Sequence, residues 1–469
     1  MADVSTQSAA VLRMAENWPL IAALMGGTTA MRKVGKAYLP KWPNEDEKSY
    51  DARLKTAVLF PAFQRTIEVL AGKPFSKAVT YGDDVPKKML PWLDNIDLQG
   101  RNLHNFASSI LTDALAFALA GILVDYPPTV DDNGRPLYVT KADEERASVR
   151  PYMVHIRPQN ILGWRISNVN GAIVLAQLRL MESVEEPDGE FNEKFIPQIR
   201  VLEPGRWATY RKQAAGNVEK WILHKSGTTT LNKIPFVPVY SNKTGFMEAY
   251  PPLMELAHMN VEHWQSKSDQ QTILHVARVP ILVRTGAEDE ISKDGTVAKK
   301  KLTVGASSAV DLPIGATLTY TEHSGAAIEA GRLSLKDLED QMRQAGAELL
   351  VIKPANITES QTLADNEQGT CALQRITQDV EDAIDQALQF AAEWIGEKEG
   401  GHVTIYKDFG AATLAEASLE LLRKMRMQGD LSRETLFNEG KRRGAIGPDV
   451  KWEDEQARIS TEGPLMADA

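Results

Sequence analysis

Apolar residues three to four positions apart mark the longest ordered stretches of this chain, and shorter alternating runs fall between them. The spacing predicts one helix from about Leu253 to Arg278 and a second from Leu333 to Leu350, separated by a compact β-rich insert from Pro280 to Tyr320. A short polar loop around Pro354 follows. Beyond it the pattern predicts a helix of unusual length, Leu363 to Ile395, with Leu373, Ile376, Val380, Ile384, Leu388 and Ile395 on one stripe. No catalytic signature interrupts this block.

Upstream, Trp18, Leu20, Ile21 and Leu24 open a helical hairpin that the Gly26-Gly27 pair breaks. Asn44 is the expected cap of a helix from Glu45 to Thr56, and Pro61 to Ala71 forms another that Gly72 terminates. Leu103, Phe106, Ala107, Ile110, Leu111, Ala114 and Phe117 predict a largely buried helix between Gly100 and Ala120, ended by Gly121 before a strand at Ile122 to Tyr126. Seven β candidates then run from Tyr152–Ile156 to Phe236–Tyr240. Past Gly396 the pattern gives a strand at His402 to Tyr406, helical spacing from Leu414 to Met427, and a helix capped by Ser432. Helices, a β-rich layer and a helical block in that order define an α+β class.

Composition narrows the partners more than the fold. A chain of 469 residues exceeds what one core usually serves, and 43% hydrophobic with 25% charged residues is an ordinary globular balance. The longest apolar stretch, Ile110 to Val124, contains Asp113 and falls short of the roughly 20 residues a membrane helix needs. With no secretory pattern at the N-terminus, a cytoplasm-like compartment and no membrane are expected. Cys371 is the single cysteine, which excludes an intrachain disulfide framework and a multi-cysteine zinc site. A formal charge of -10 argues against a basic protein that coats nucleic acid.

The chemistry-bearing residues read as structural. Gly72-Lys73-Pro74-Phe75-Ser76 lacks the upstream glycine turn of a phosphate loop and reads as a helix end, which takes support from a packaging motor. His258 and His263, five apart on one helix, do not converge on a metal and are expected at solvent or an interface. Asp379, Glu381, Asp382 and Asp385 read as a solvated acidic face, with a paired-carboxylate metal site at Asp379 and Asp382 as the enzyme alternative. Lys299-Lys300-Lys301 and Lys441-Arg442-Arg443 are the strongly basic runs, suited to DNA phosphate, an acidic partner or solvated turns.

Three stretches carry a resemblance to a known family. They are Met25-Gly26-Gly27-Thr28-Thr29-Ala30-Met31-Arg32 with Tyr38-Leu39-Pro40, then Leu70-Ala71-Gly72-Lys73-Pro74-Phe75, then Pro252 to Asn260 with Ala277-Arg278-Val279-Pro280. With the order of elements, they make the chain resemble the portal proteins of tailed bacteriophages, the head-tail connector ring at the unique capsid vertex. The resemblance implies a wing over 1–250, a first stem helix at 251–279, a clip at 280–330 and a second stem helix at 331–350. A tunnel loop at 351–362, a long wing helix and strand at 363–410 and crown helices at 411–469 complete it. It implies a homododecamer that conducts double-stranded DNA non-specifically, with the terminase large subunit, capsid and scaffold proteins and head-tail adaptors as partners. The location implied is the virion, and the host cytoplasm during assembly.

It also implies no enzymatic activity and no cofactor. Lys353, Asn356, Thr358, Glu359, Ser360 and Gln361 become the tunnel-loop residues, and Asp289, Glu290, Lys299, Lys300 and Lys301 the terminase-docking edge of the clip. A metal-dependent nuclease or nucleotidyltransferase, or another capsid or neck protein, remains as an alternative.

Overall fold

Local caps set the first helices. The Ser8 hydroxyl accepts from the Val11 N–H and starts α1 (Ala9–Ala15), and α2 (Trp18–Met25) stops at the glycine pair before α3 (Gly27–Val34). Helix α4 (Glu47–Thr56) is capped by Asp46 rather than Asn44, its Oδ1 accepting from the N–H groups of Lys48 and Ser49. The computed structural model describes residues 3–129, 135–138, 140–147, 149–215, 218–277, 281–285, 290–291, 297–298, 317–321, 325–350, 371–407, 426–427, 429, 432–442 and 450–462.

The chain continues through α5 (Ala62–Gly72), β1 (Thr80–Tyr81), α6 (Leu103–Phe117), β2 (Leu119–Asp125), α7 (Lys141–Arg146) and β3 (Tyr152–Ile156). Next come β4 (Ile161–Val169), β5 (Ala172–Pro187), β6 (Glu193–Glu203), β7 (Arg206–Ala215), β8 (Val218–Thr228), β9 (Phe236–Tyr240), β10 (Lys243–Gly245) and β11 (Glu248–Ala249). Helix α8 (Met254–Ala277) leads to β12 (Ile281–Thr285), β13 (Glu290–Ile291), β14 (Val297–Ala298) and β15 (Thr317–Thr321). After α9 (Ala326–Ala347) come α10 (Ala372–Ile395), β16 (Val403–Thr404), α11 (Arg433–Arg442) and α12 (Trp452–Glu462). Among the described residues no helix is long and apolar enough to cross a membrane.

These elements mix helices with antiparallel sheets, and they fall into two compact units. One comprises residues 1–22, 63–254 and 345–469, the other 23–62 and 255–344. In the first, β2 is the centre of a three-stranded antiparallel sheet, β3-β2-β9, and α6 and α10 pack against it. Strands β4 to β8 form a five-stranded antiparallel meander. Leu119, Leu123 and Ile156 of the smaller sheet share a core with Ile161, Leu178, Leu180 and Leu202 of the larger, and Val11, Met14 and Trp18 complete it.

Two expectations change here. Helix α6 ends at Phe117, where Ala118 turns left-handed at φ 71°, and β2 starts at Leu119. Gly121 is not the terminator; it lies inside β2, where a Cβ would sit 2.3 Å from Cζ of Phe236 on the neighbouring strand. The strands of the meander are also longer than alternation predicts. Strand β5 runs on to Pro187 through Glu182, Glu185 and Glu186, where no apolar face marks a core.

In the second unit, β12 pairs antiparallel with β15, Ile281 opposite Thr321 and Thr285 opposite Thr317, so the insert leaves and returns on one two-stranded base. Within it Glu290 pairs with Ala298. Helix α9 begins at Ala326, seven positions before the expected Leu333.

Candidate functional site

The second unit is organised around α8 and α9. At 24 and 22 residues they are about 36 and 33 Å long at 1.5 Å per residue. His263 Nε2 lies 3.3 Å from Glu339 Oε1, and seven residues further along α8 Gln270 Nε2 donates to the Ile328 carbonyl at 2.8 Å. The position on α9 falls as that on α8 rises, so the helices are antiparallel. Gly331 makes room for this contact, since a Cβ there would stand 2.1 Å from Gln270 Oε1.

Residues 23–62 clasp α8 through polar contacts. Asn260 Nδ2 donates to the Phe60 carbonyl at 2.8 Å and Gln265 Nε2 to the Tyr38 carbonyl at 3.0 Å. Arg32 grips the Ala57 carbonyl with two N–H groups at 3.0 and 2.8 Å, and Thr28 Oγ1 accepts from the Leu59 N–H at 3.1 Å. The stretches Met25–Arg32 and Tyr38–Pro40 therefore build the layer that holds α8.

At its centre is a buried ion pair. Arg53 donates from Nε and Nη2 to the two oxygens of Glu45 at 2.8 and 2.7 Å, and Nη2 also reaches the Pro40 carbonyl at 2.8 Å. Trp42 and Tyr50 roof the guanidinium, 4.2 and 5.5 Å from their ring centroids. The Arg53 hydrogen bonds hold Glu45 below the usual carboxylate range, and burial pushes nearby Asp269 up. The pair escaped the sequence reading because Glu45 and Arg53 stand in a polar helix start without an apolar stripe. The visible signal was an aromatic, Trp42, beside both charges.

The histidines separate. His258 is exposed, as expected, whereas His263 is buried against Phe60 with ring centroids 5.1 Å apart. Its assignment to solvent or an interface is corrected: the α8 face it shares with Asn260 and Trp264 is the covered one. Burial pushes the His263 pKa down, against the opposing pull of Glu339, so the folded unit holds it neutral. The unfolded chain takes up the proton first, so the contribution present above about pH 6.5 is lost as pH falls, by at most ~1.4 kcal/mol per pH unit. Thermal melts should show His263→Gln losing less stability than the parent between pH 7 and 5. Equal losses would remove His263 from the account.

The acidic face of α10 is also partly corrected. Asp379 and Asp382 are exposed, but Glu381 is buried, its Oε2 accepting from the Ile405 N–H and its Oε1 from Lys407 Nζ, both at 2.7 Å. Asp385 Oδ1 accepts from the Val403 N–H at 2.8 Å. These carboxylates fasten the strand around β16 onto the helix. The helix itself starts at Ala372, because Cys371 is an extended, buried N-cap. Among the described residues no three His, Cys, Asp or Glu side chains are grouped to hold a metal ion.

Of the expected functional residues, Glu290 lies in β13. Asp289, Lys299, Lys300, Lys301, Lys353, Asn356, Thr358, Glu359, Ser360 and Gln361 lie outside the described residues. So do 363–370 and 414–425.

The fold thus defines a mixed α+β protein with an antiparallel helix pair that brackets a small β insert. A family model described as a domain of unknown function (DUF4055) matches residues 252–395. That span opens two residues before α8 and closes at the last residue of α10. No curated protein matches the chain. Among solved structures the chain is similar to a chain of the neck of an empty gene transfer agent particle computed with C6 symmetry. The identity is 12% and the TM-score 0.42, over 82% of this chain and 90% of that one. It is also similar to a chain of the virion of the native particle, at 13% identity and TM-score 0.40 over 87% and 97%. A third is in the neck of the native particle computed with C12 symmetry, at 11% identity and TM-score 0.40 over 89% and 98%.

Proposed function

We propose that this protein is the subunit of a portal-type ring, a non-enzymatic conduit for double-stranded DNA at a capsid vertex. The observation that carries the reading is the antiparallel pair α8/α9 with the insert at its turn. Such a pair, repeated about an axis, gives each subunit two rods of about 33 to 36 Å for a channel wall. The insert at one end of the rods is the part available to a terminase and later to head-tail adaptors, with Asp289, Glu290, Lys299, Lys300 and Lys301 as its charged edge. The polar residues Lys353, Asn356, Thr358, Glu359, Ser360 and Gln361, between α9 and α10 in sequence, are the proposed DNA contacts.

The charge supports passage rather than capture. Twelve chains at -10 each give a ring on the order of a hundred negative charges, which weakens phosphate adhesion and lets DNA slide. In this reading the ring is the channel, and the energy for packaging comes from the docked terminase. A closed ring needs heterologous contacts that complete a rotation. Light scattering on purified protein should give a mass near twelve times 51.8 kDa. A monomer at all concentrations tested would refute it.

A further inference from the structure

The five-stranded meander outgrows the core it shares with the smaller sheet. That core reaches β5 at Leu178 and Leu180, yet the strand runs on to Pro187. Glu182 pairs with Gln198 and Gln198 with Arg211, and Arg200 and Glu186 keep the same parity on their strands, so all five side chains stand on one face of the sheet. They are joined end to end. Arg211 Nη1 donates to Glu186 Oε1 at 2.6 Å and its Nε to Gln198 Oε1 at 2.9 Å. Gln198 Nε2 donates to Glu182 Oε2 at 3.2 Å, and the other oxygen of Glu182 lies 2.8 Å from Arg200 Nε.

The chain of contacts does not stop at the meander. Arg200 Nη1 donates to Asp125 Oδ2, at the end of β2, at 2.5 Å. Asp125 Oδ1 accepts from the Tyr126 N–H at 2.9 Å, and the Tyr126 ring stacks on Trp394 with centroids 5.7 Å apart and planes 22° from parallel. Trp394 is the last residue but one of α10. Tyr152 OH also donates to Asp125 Oδ2 at 3.2 Å, and burial pushes that phenol up, so it stays a donor. The charged side chains are between 18% and 35% exposed and Gln198 is 6% exposed, so water competes only in part for these bonds.

We propose that these contacts form a mechanical linkage, through which a displacement of the outer strands β5 to β7 turns Asp125 and moves Trp394 at the end of α10. Arg211, Gln198, Glu182, Arg200 and Asp125 each end in a planar group held on two sides, so tilting one plane drags the next. The main-chain ladder joins β5 to β6 and β6 to β7, whereas the step from β6 to the other sheet is made by Arg200 and Asp125. Coupling of this kind travels through contiguous bonded groups and shows itself as non-additivity between substitutions along the route. The linkage lies inside the first unit and stands whether or not copies form a ring.

The test is fluorine NMR of the full chain labelled with 5-fluorotryptophan, in which the Trp394 resonance is the one that Trp394→Phe removes. Arg211→Leu cuts the chain of contacts near its far end and leaves the main-chain ladder in place. It should move the Trp394 resonance by more than a linewidth. Glu186→Gln, which weakens only the last link, should move it the same way by less, and decides the matter alone if Arg211→Leu does not fold. In an Arg200→Met background, where the route is already broken, neither substitution should move Trp394 further. Trp221, on β8 next to the partner of Arg211, is the local control. A Trp394 resonance that stays put while that of Trp221 responds would overturn the linkage. A shift undiminished in the Arg200→Met background would overturn it too, since the displacement would then travel by another route.

Discussion

Arg53→Ala should destabilise the second unit by about 3 kcal/mol, because it leaves the Glu45 carboxylate covered and unpaired. The side chains of Arg53 and Glu45 are only 4% and 3% exposed. The value belongs at the lower end of the range for buried pairs, since the cover is a roof of Trp42 and Tyr50 rather than a deep interior. The loss also removes the hydrogen bond to the Pro40 carbonyl and the cation's stacking on Trp42, so Arg53→Lys should restore only part of it. The pH dependence has a definite sign. Arg53 holds Glu45 below its ordinary value, so the contribution is present above about pH 4.3 and is lost as pH falls through the depressed value. Urea unfolding should show the gap between parent and Arg53→Ala closing under acid conditions. A gap unchanged from pH 7 to 3 would show that the ion pair is not its source.

Gly401→Ala should cost at least as much, about 3 kcal/mol or more, in the first unit. Two effects combine there. Gly401 sits at φ 79°, which L residues rarely adopt, and a Cβ would stand 2.5 Å from the Cα of Val85 and 2.6 Å from its nitrogen. Backbone cannot swing aside as a side-chain tip can. The same stretch carries the Gly82 N–H to His402 carbonyl bond and the β1–β16 pairing of Tyr81 with Val403, so displacement would strip β16 from α10. Hydrogen exchange should show lost protection at Val403 and Ile405, whose N–H groups bond Asp385 and Glu381. Unchanged exchange and an unshifted melt would mean that the two strands are not held as described.

What the sequence made legible follows the apolar stripe. Helix α10 shows up because Leu373, Ile376, Val380, Ile384 and Leu388 claim one side of it. The same logic fails where burial is polar. His263, Asn260 and Glu381 are covered because a neighbour's carboxylate, carbonyl or N–H meets them, and such partners lie far off in sequence or were read as solvent-facing. It fails again in β5 and β6, whose outer halves are charged and exposed, so their length comes from main-chain pairing rather than from a core. Asp46 replaced Asn44 as the cap because both residue types can cap, and only the start of helical dihedrals decides between them.

Electron microscopy of the purified full-length protein tests the central claim most directly. The account predicts hollow particles with radial symmetry near twelvefold and a central channel, with the rods α8 and α9 lining its wall. Monomers, closed shells, or rings whose helix pair lies on the outer surface would contradict it.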